Sequence, residues 1–235
     1  IPSHPVGPPI PGMRGSKYRY PIRRGESLGE IDMSTMKEIL NEIQPDFSAG
    51  IVDSLTISDL DKIAVDNFRR RRIEKSGNNS LKTVALEKLL QDVRLMRKGK
   101  MSYACLILLG KSEKIAEYMP QAEIIYEWRS DPKQIHYDDR TVWRTPYFAV
   151  YDEIWQKINT RNMRTPYQEG FIQHEILAFD EKACREAVNN AVAHRDYSIT
   201  GRAIFILASP NSLTVNSPGG FPKGITIENI LEAPP

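Results

Sequence analysis

Residues 180–194 constrain the fold of this chain more than any other stretch. Cys184, Val188, Ala191 and Val192 recur at helical spacing and make one apolar stripe. Glu186, Asn190 and His194 recur at intervals of four and make a separate polar stripe. Asp180 stands where a helix N-cap belongs. One side of such a helix packs against the rest of the chain, and the other presents a carboxylate and an amide.

The flanking pattern puts this helix between strands. Phe171 to Phe179 reads as a strand, and 203–208 with 213–216 reads as a hairpin around Pro210-Asn211. The hairpin leads into Asn216-Ser217-Pro218-Gly219-Gly220-Phe221-Pro222, a glycine turn, and a closing helix is expected from Thr226 to Leu231. A carboxylate one turn from a carboxamide suits a magnesium-nucleotide site. The amide oxygen ligates a hard cation that keeps waters and phosphates, and the carboxylate orients or deprotonates a water. A glycine turn after a strand lets a ligand approach the backbone. A solvated helix face followed by an ordinary turn has the same spacing, and spacing alone leaves both readings open.

Composition narrows the class. The 235 residues are 40% hydrophobic and 26% charged, as in a soluble globular protein with a sizeable core. A net charge of +2 does not imply nucleic-acid binding without a local patch. Cys105 and Cys184 lack the spacing of a zinc site and read as buried reduced thiols. The longest apolar run, Tyr103 to Leu109, is too short for a membrane span, and no signal peptide is readable, so a cytoplasmic protein without membrane contact is expected.

Upstream, 1–21 is rich in proline and glycine, and Lys17 to Gly25 reads as an alternating strand. A mainly helical section follows. Ser34 caps a helix carrying Met36, Ile39, Leu40 and Ile43 that Pro45 ends. Ser58 begins a second helix with Leu60, Ile63, Ala64 and Phe68, which Gly77 ends. Ser80 begins a third with Val84, Leu86, Leu89, Leu90 and Val93. From Met101 the pattern changes. Tyr103 to Leu109 is a buried strand or a short buried helix, 122–129 is a strand with Ile124, Tyr126 and Trp128 on one face, and 148–162 is a helix carrying Val150, Ile154, Trp155 and Ile158.

Three other motifs compete for function. Gly110-Lys111-Ser112 imitates the end of a phosphate-binding loop, but Cys105 stands where the first glycine is needed, and bulky residues fill the loop. His194-Arg195-Asp196 imitates a kinase catalytic loop, but Gly201 stands where an asparagine is required. Arg69, Arg70, Arg71 and Arg72 form the strongest basic run, with a second cluster at Arg94, Arg97, Lys98 and Lys100. Consecutive helical residues diverge, so the run is either a weak nucleic-acid contact or a solvated, acid-paired surface.

Residues 185–202 (REAVNNAVAHRDYSITGR) and 213–231 (LTVNSPGGFPKGITIENIL) together resemble the C-terminal region of RecG-like, Schlafen AlbA-type transcriptional regulators, which is similar to the GHKL ATPases. The resemblance is close over 170–232 and looser toward the N-terminus. It implies an α+β chain in three parts: a strand remnant of an AlbA-type domain with its linker (1–30), a helical linker region (31–100), and a GHKL-like α/β sandwich incomplete at its C-terminus (101–235). It implies ATP and Mg2+ as ligands, with Asn190 holding the metal, Glu186 as catalytic acid-base residue, and Asn216, Ser217, Gly219 and Gly220 around the nucleotide, while His194 reads either as a cation closing the helix C-terminus or as a nucleotide-facing residue. It also implies action on DNA, leaves self-association open, and gives no support to helicase activity. GHKL-type ATP hydrolysis is open, with binding the better-supported part. The sequence departs from the GHKL pattern at Asn216, where an aspartate usually selects adenine, and at Pro218, where a glycine is usual. These departures are the ground for the alternative, a degenerate DNA-binding or scaffold module without nucleotide activity.

Overall fold

The computed structural model describes residues 12–14, 17–24, 27–31 and 47–219. The helices expected at 34–44 and 226–231 lie outside the described residues. The chain is mixed α+β and divides into two compact units, Ile1–Phe47 and Ser48–Pro235.

The N-terminal unit holds two antiparallel hairpins. Strand β1 (Gly12–Arg14) pairs with β2 (Lys17–Arg19), and β3 (Pro21–Arg24) pairs with β4 (Ser27–Glu30). The continuous strand expected from Lys17 is therefore two strands, the second opened by Pro21, which has no amide hydrogen to give a ladder.

In the larger unit, α1 (Lys62–Ser76) begins at Asp61, whose carboxylate accepts the Ala64 N–H at 2.8 Å. The Ser58 start is overturned because Leu60 is extended, bridging Gly110, and Asp61 takes the capping position. Gly77 ends the helix at φ 67°, a conformation that suits glycine. The helix expected from Ser80 is broken. Asn79–Lys82 is a 3-10 turn, and α2 (Leu86–Asp92) follows it separately. The Arg69 guanidinium takes the carbonyls of Leu81 and Val84, the latter at 2.7 Å, which a continuous helix would use internally.

Strands β5 (Ile51–Val52), β6 (Met96–Arg97) and β7 (Lys100–Ser102) form a small sheet in the order β5-β7-β6. The apolar run that sequence left open is helix α3 (Tyr103–Leu109), capped by Ser102, whose hydroxyl accepts the Cys105 N–H at 3.2 Å. Gly110 then turns the chain into α4 (Ser112–Tyr118). These helices share a core that includes Ala64, Phe68, Leu90, Leu106, Ile115 and Met119.

A four-stranded sheet forms the second layer. It comprises β8 (Ile124–Trp128), β9 (Asp139–Trp143), β12 (Ile204–Ser209) and β13 (Ser212–Asn216), in the order β13-β12-β8-β9. Only β12 and β8 are parallel, with Ile204 opposite Ile124, and the connection between them carries helices α5 (Tyr147–Asn159) and α6 (Glu181–Ala193). Ile124, Tyr126 and Ile206 of the sheet meet Ile154 of α5 and Val188 and Val192 of α6 in one core. All five residues of β8 are buried, where sequence anticipated one buried face. Glu127, on the other face, is tolerated there because Arg129 reaches it at 3.0 Å and Arg140 at 3.6 Å.

The expected strand before α6 is β11 (Ile172–Leu177), and it pairs with an unforeseen partner, β10 (Arg164–Glu169). Both cysteines are free and buried, as their apolar contexts anticipated. Among the described residues, no helix is long and apolar enough to cross a membrane.

Candidate functional site

The polar stripe is positioned at both ends of α6. At the N-terminal end, Asp180 accepts the Ala183 N–H at 2.9 Å. Just before it, the buried Asn162 side chain clasps Phe179: its Oδ1 accepts the Phe179 N–H, and its Nδ2 donates to the Phe179 carbonyl, both at 2.9 Å. Between the ends, Cys184, Val188, Ala191 and Val192 are buried as the apolar stripe requires. Glu186, Asn190 and His194 are exposed.

At the C-terminal end the turn after β13 lies against the helix. Ser217 Oγ donates to the Ala191 carbonyl at 2.9 Å, and the Asp196 N–H donates to the Pro218 carbonyl at 2.9 Å. Gly219 has φ 136°, where side chains are strained, and a Cβ there would stand 3.2 Å from the Asp196 nitrogen. Asn190, His194, Ser217 and Gly219 are thus brought to one end of α6, with Asn216 exposed at the end of β13 and Gly220 outside the described residues. Ser217 acts here as a strut, since its hydroxyl already bonds the helix carbonyl. His194 closes the helix, its N–H donating to the Asn190 carbonyl at 2.9 Å.

Among the described residues, the Glu186 and Asn190 side chains make no hydrogen bond or ion pair, so the amide oxygen is available as a ligand. No group of three or more His, Cys, Asp or Glu residues that could hold a metal occurs among them. A Mg2+ ion held by one protein ligand takes its remaining positions from water and phosphate, and the partial negative charge of a helix C-terminus favours the cation. A cation held by protein alone does not fit these donors, and the helix end that favours a cation opposes the phosphate that would accompany it.

Two residues of His194-Arg195-Asp196-Tyr197 turn inward. Arg195 is 5% exposed; its Nη2 donates to the Arg202 carbonyl, while Nε and Nη1 have no partner among the described residues. Tyr197 donates to the Val192 carbonyl at 3.0 Å, and burial pushes its phenol up to about 12. Asp196 folds the following turn, accepting from the Ser198 N–H at 2.9 Å and from the Ser198 hydroxyl.

The basic run divides by function. Arg69 points inward to two carbonyls, Arg70 reaches Asp152 at 3.2 Å, Arg71 pairs with Asp152 and lies 3.7 Å over the Tyr151 ring, and Arg72 is exposed. Arg185 of α6 joins the same carboxylate at 3.1 Å. Burial would raise the Asp152 carboxyl, but the Arg71 hydrogen bond and charge, with Arg70 and Arg185, outweigh it and hold the group below the ordinary carboxylate range. Three arginines on one carboxylate tie α1 and α6 to α5. The run is not a single cationic face. In the second basic cluster, Lys100 pairs with Asp53 at 2.5 Å. At Gly110-Lys111-Ser112 the glycine closes α3, and a Cβ on it would stand 2.7 Å from the Leu106 carbonyl, so packing accounts for that residue.

Asn162, Asn189 and Arg195 escaped the sequence reading. Asn189 lies beside the apolar stripe, where its Oδ1 accepts the buried Tyr147 hydroxyl at 2.7 Å. No local spacing signals it, because its partner Tyr147 lies on another helix.

The profile of a domain of unknown function (DUF8451) matches residues 28–125. No curated protein matches the chain. Among solved structures, the DIP2311 protein from Corynebacterium diphtheriae is similar at 24% identity with a TM-score of 0.65. The match covers 91% of this chain and 41% of that one, so this chain spans about two fifths of its neighbour. The likeness establishes a shared fold.

Proposed function

We propose that the chain carries the Mg-ATP-binding region of a regulatory protein of the RecG-like, Schlafen AlbA-type class that acts on DNA. One observation carries this reading: the Ser217–Gly219 turn lies against the last turn of α6, beside the exposed Asn190 and His194. A nucleotide would lie along the polar stripe, its phosphates and Asn190 sharing the metal. Glu186, one turn earlier, would hold a water beside them. Asn216 offers both a donor and an acceptor to a base, which is a weaker discriminator for adenine than a carboxylate.

Titration of the full-length protein with ATP tests the proposal, with and without Mg2+. The expected result is saturable, magnesium-dependent binding that Asn190→Ala weakens and Glu186→Gln retains. Absence of binding in the wild type, or equal binding by Asn190→Ala, overturns it. The alternative is a module of the same fold that binds DNA or serves as a scaffold without nucleotide. DNA binding by the full-length protein with no nucleotide response would favour it.

A further inference from the structure

Two adjoining cavities lie between α1, α3, α5 and α6, lined on α6 by Asn189, Val192 and Ala193. The first, of about 350 Å³, is apolar, with Ile107, Leu108, Phe148, Val192 and Ala193 among its walls. The second, of about 510 Å³, is bordered by Arg71, Arg72, Glu74, Lys75, Tyr151 and Asn189. They share Phe68, Phe148 and Asn189, so they form one cleft with an apolar end and a cationic end. Each volume falls in the ~300–1,000 Å³ range of small-molecule sites.

The charges at the cationic end differ in availability. Arg71 is committed to Asp152, and Glu74 to Arg70 at 3.5 Å. Arg72 and Lys75 are exposed and have no acid partner among the described residues. Asn189, at the junction, uses its oxygen for Tyr147, which turns its amide N–H groups toward donation. The cleft therefore presents two uncommitted cations and an amide donor next to an apolar chamber. Such a distribution does not suit a nucleic-acid strand, which needs a continuous basic groove with stackable rings. Here Tyr151 already carries the Arg71 guanidinium on its face.

We infer that this cleft binds a small amphipathic anion, an acyl carboxylate, with its hydrocarbon chain against Ile107, Phe148 and Val192 and its carboxylate at Arg72 and Lys75. Attraction to two cations favours the anion over an uncharged chain, and burial of the chain favours it over a bare carboxylate. The inference does not rest on the nucleotide proposal and stands or falls without it.

Calorimetric titration of the full-length protein with octanoate, 1-octanol and acetate tests this. Saturable binding of octanoate is expected, with 1-octanol weaker and acetate absent. The double variant Arg72→Glu/Lys75→Glu changes only exposed side chains and should weaken octanoate by about tenfold or more, leaving 1-octanol unchanged. Ala193→Trp, which fills the apolar end from an exposed position, should remove both, with circular dichroism showing that each variant is folded. No saturable octanoate binding overturns the inference. So does equal affinity for octanoate and 1-octanol, insensitivity to either variant, or binding of single-stranded oligonucleotide in place of octanoate.

Discussion

Asn162→Ala should destabilise the chain more than any exposed substitution in the polar stripe. The Asn162 side chain is the partner of both the N–H and the carbonyl of Phe179, at 2.9 Å each, and both residues are at least nine-tenths buried. Truncation leaves two buried backbone groups unsatisfied, at about 1–3 kcal/mol apiece, and water entering the vacated space recovers part of this. A net loss of about 2–4 kcal/mol follows, or a melting temperature lower by roughly 5–15 °C at this chain length. Urea denaturation measures the loss, and hydrogen exchange at the Phe179 amide locates it. Asn162→Asp provides an internal check. Its carboxylate still accepts from the Phe179 N–H but repels the Phe179 carbonyl, so its pKa is raised in the folded state. The variant's penalty is present above that raised pKa and relieved, relative to wild type, as pH falls through it. A loss under about 0.5 kcal/mol for Asn162→Ala would refute the clasp as the device that fixes the start of α6.

The Asp152 carboxyl is held below its ordinary range, so its pairing stabilises the fold above the unfolded pKa and is lost as pH falls through the folded one. Acid denaturation monitored by circular dichroism should therefore show a smaller pH dependence below about pH 4 in Asp152→Asn than in wild type. Burial pushes the Cys105 thiol up to about 12 and raises Cys184, so a thiol reagent at pH 8 should find no reactive cysteine in the folded chain and 2 after denaturation. Gly110→Ala forces a Cβ to within 2.7 Å of the Leu106 carbonyl, and a loss of about 1–3 kcal/mol in urea unfolding is expected. Asp180→Ala removes the cap of α6 and should cost about 1 kcal/mol in the same assay.

Legibility in the sequence followed the range of the interaction. The apolar stripe of α6, its cap at Asp180, the end of α1 at Gly77 and the β12–β13 hairpin depend on neighbours within a few residues, and their spacing reveals them. The start of α1 and the continuity of the helix after Ser80 were misread for one reason. Gly110 holds Leu60 extended from 50 residues away, and Arg69 withdraws carbonyls that local propensity assigns to a helix. The ambiguity of 103–109 had a different cause, because seven apolar residues suit a strand or a helix by periodicity alone, and the Ser102 cap that accompanies the helix is a bond only three residues long.

The candidate site divides along the same line. Sequence alone determined that Glu186, Asn190 and His194 share one face, since helical periodicity permits no other arrangement. It also put a glycine turn after a strand. Only the tertiary structure laid that turn against the end of α6, because the bonds of Ser217 and Pro218 to Ala191 and Asp196 join segments more than twenty residues apart. Only it, too, distributed four consecutive arginines among a loop, a carboxylate and a cleft. Their directions around α1 are fixed by the helix, but their partners lie on other elements, whose positions no local pattern encodes.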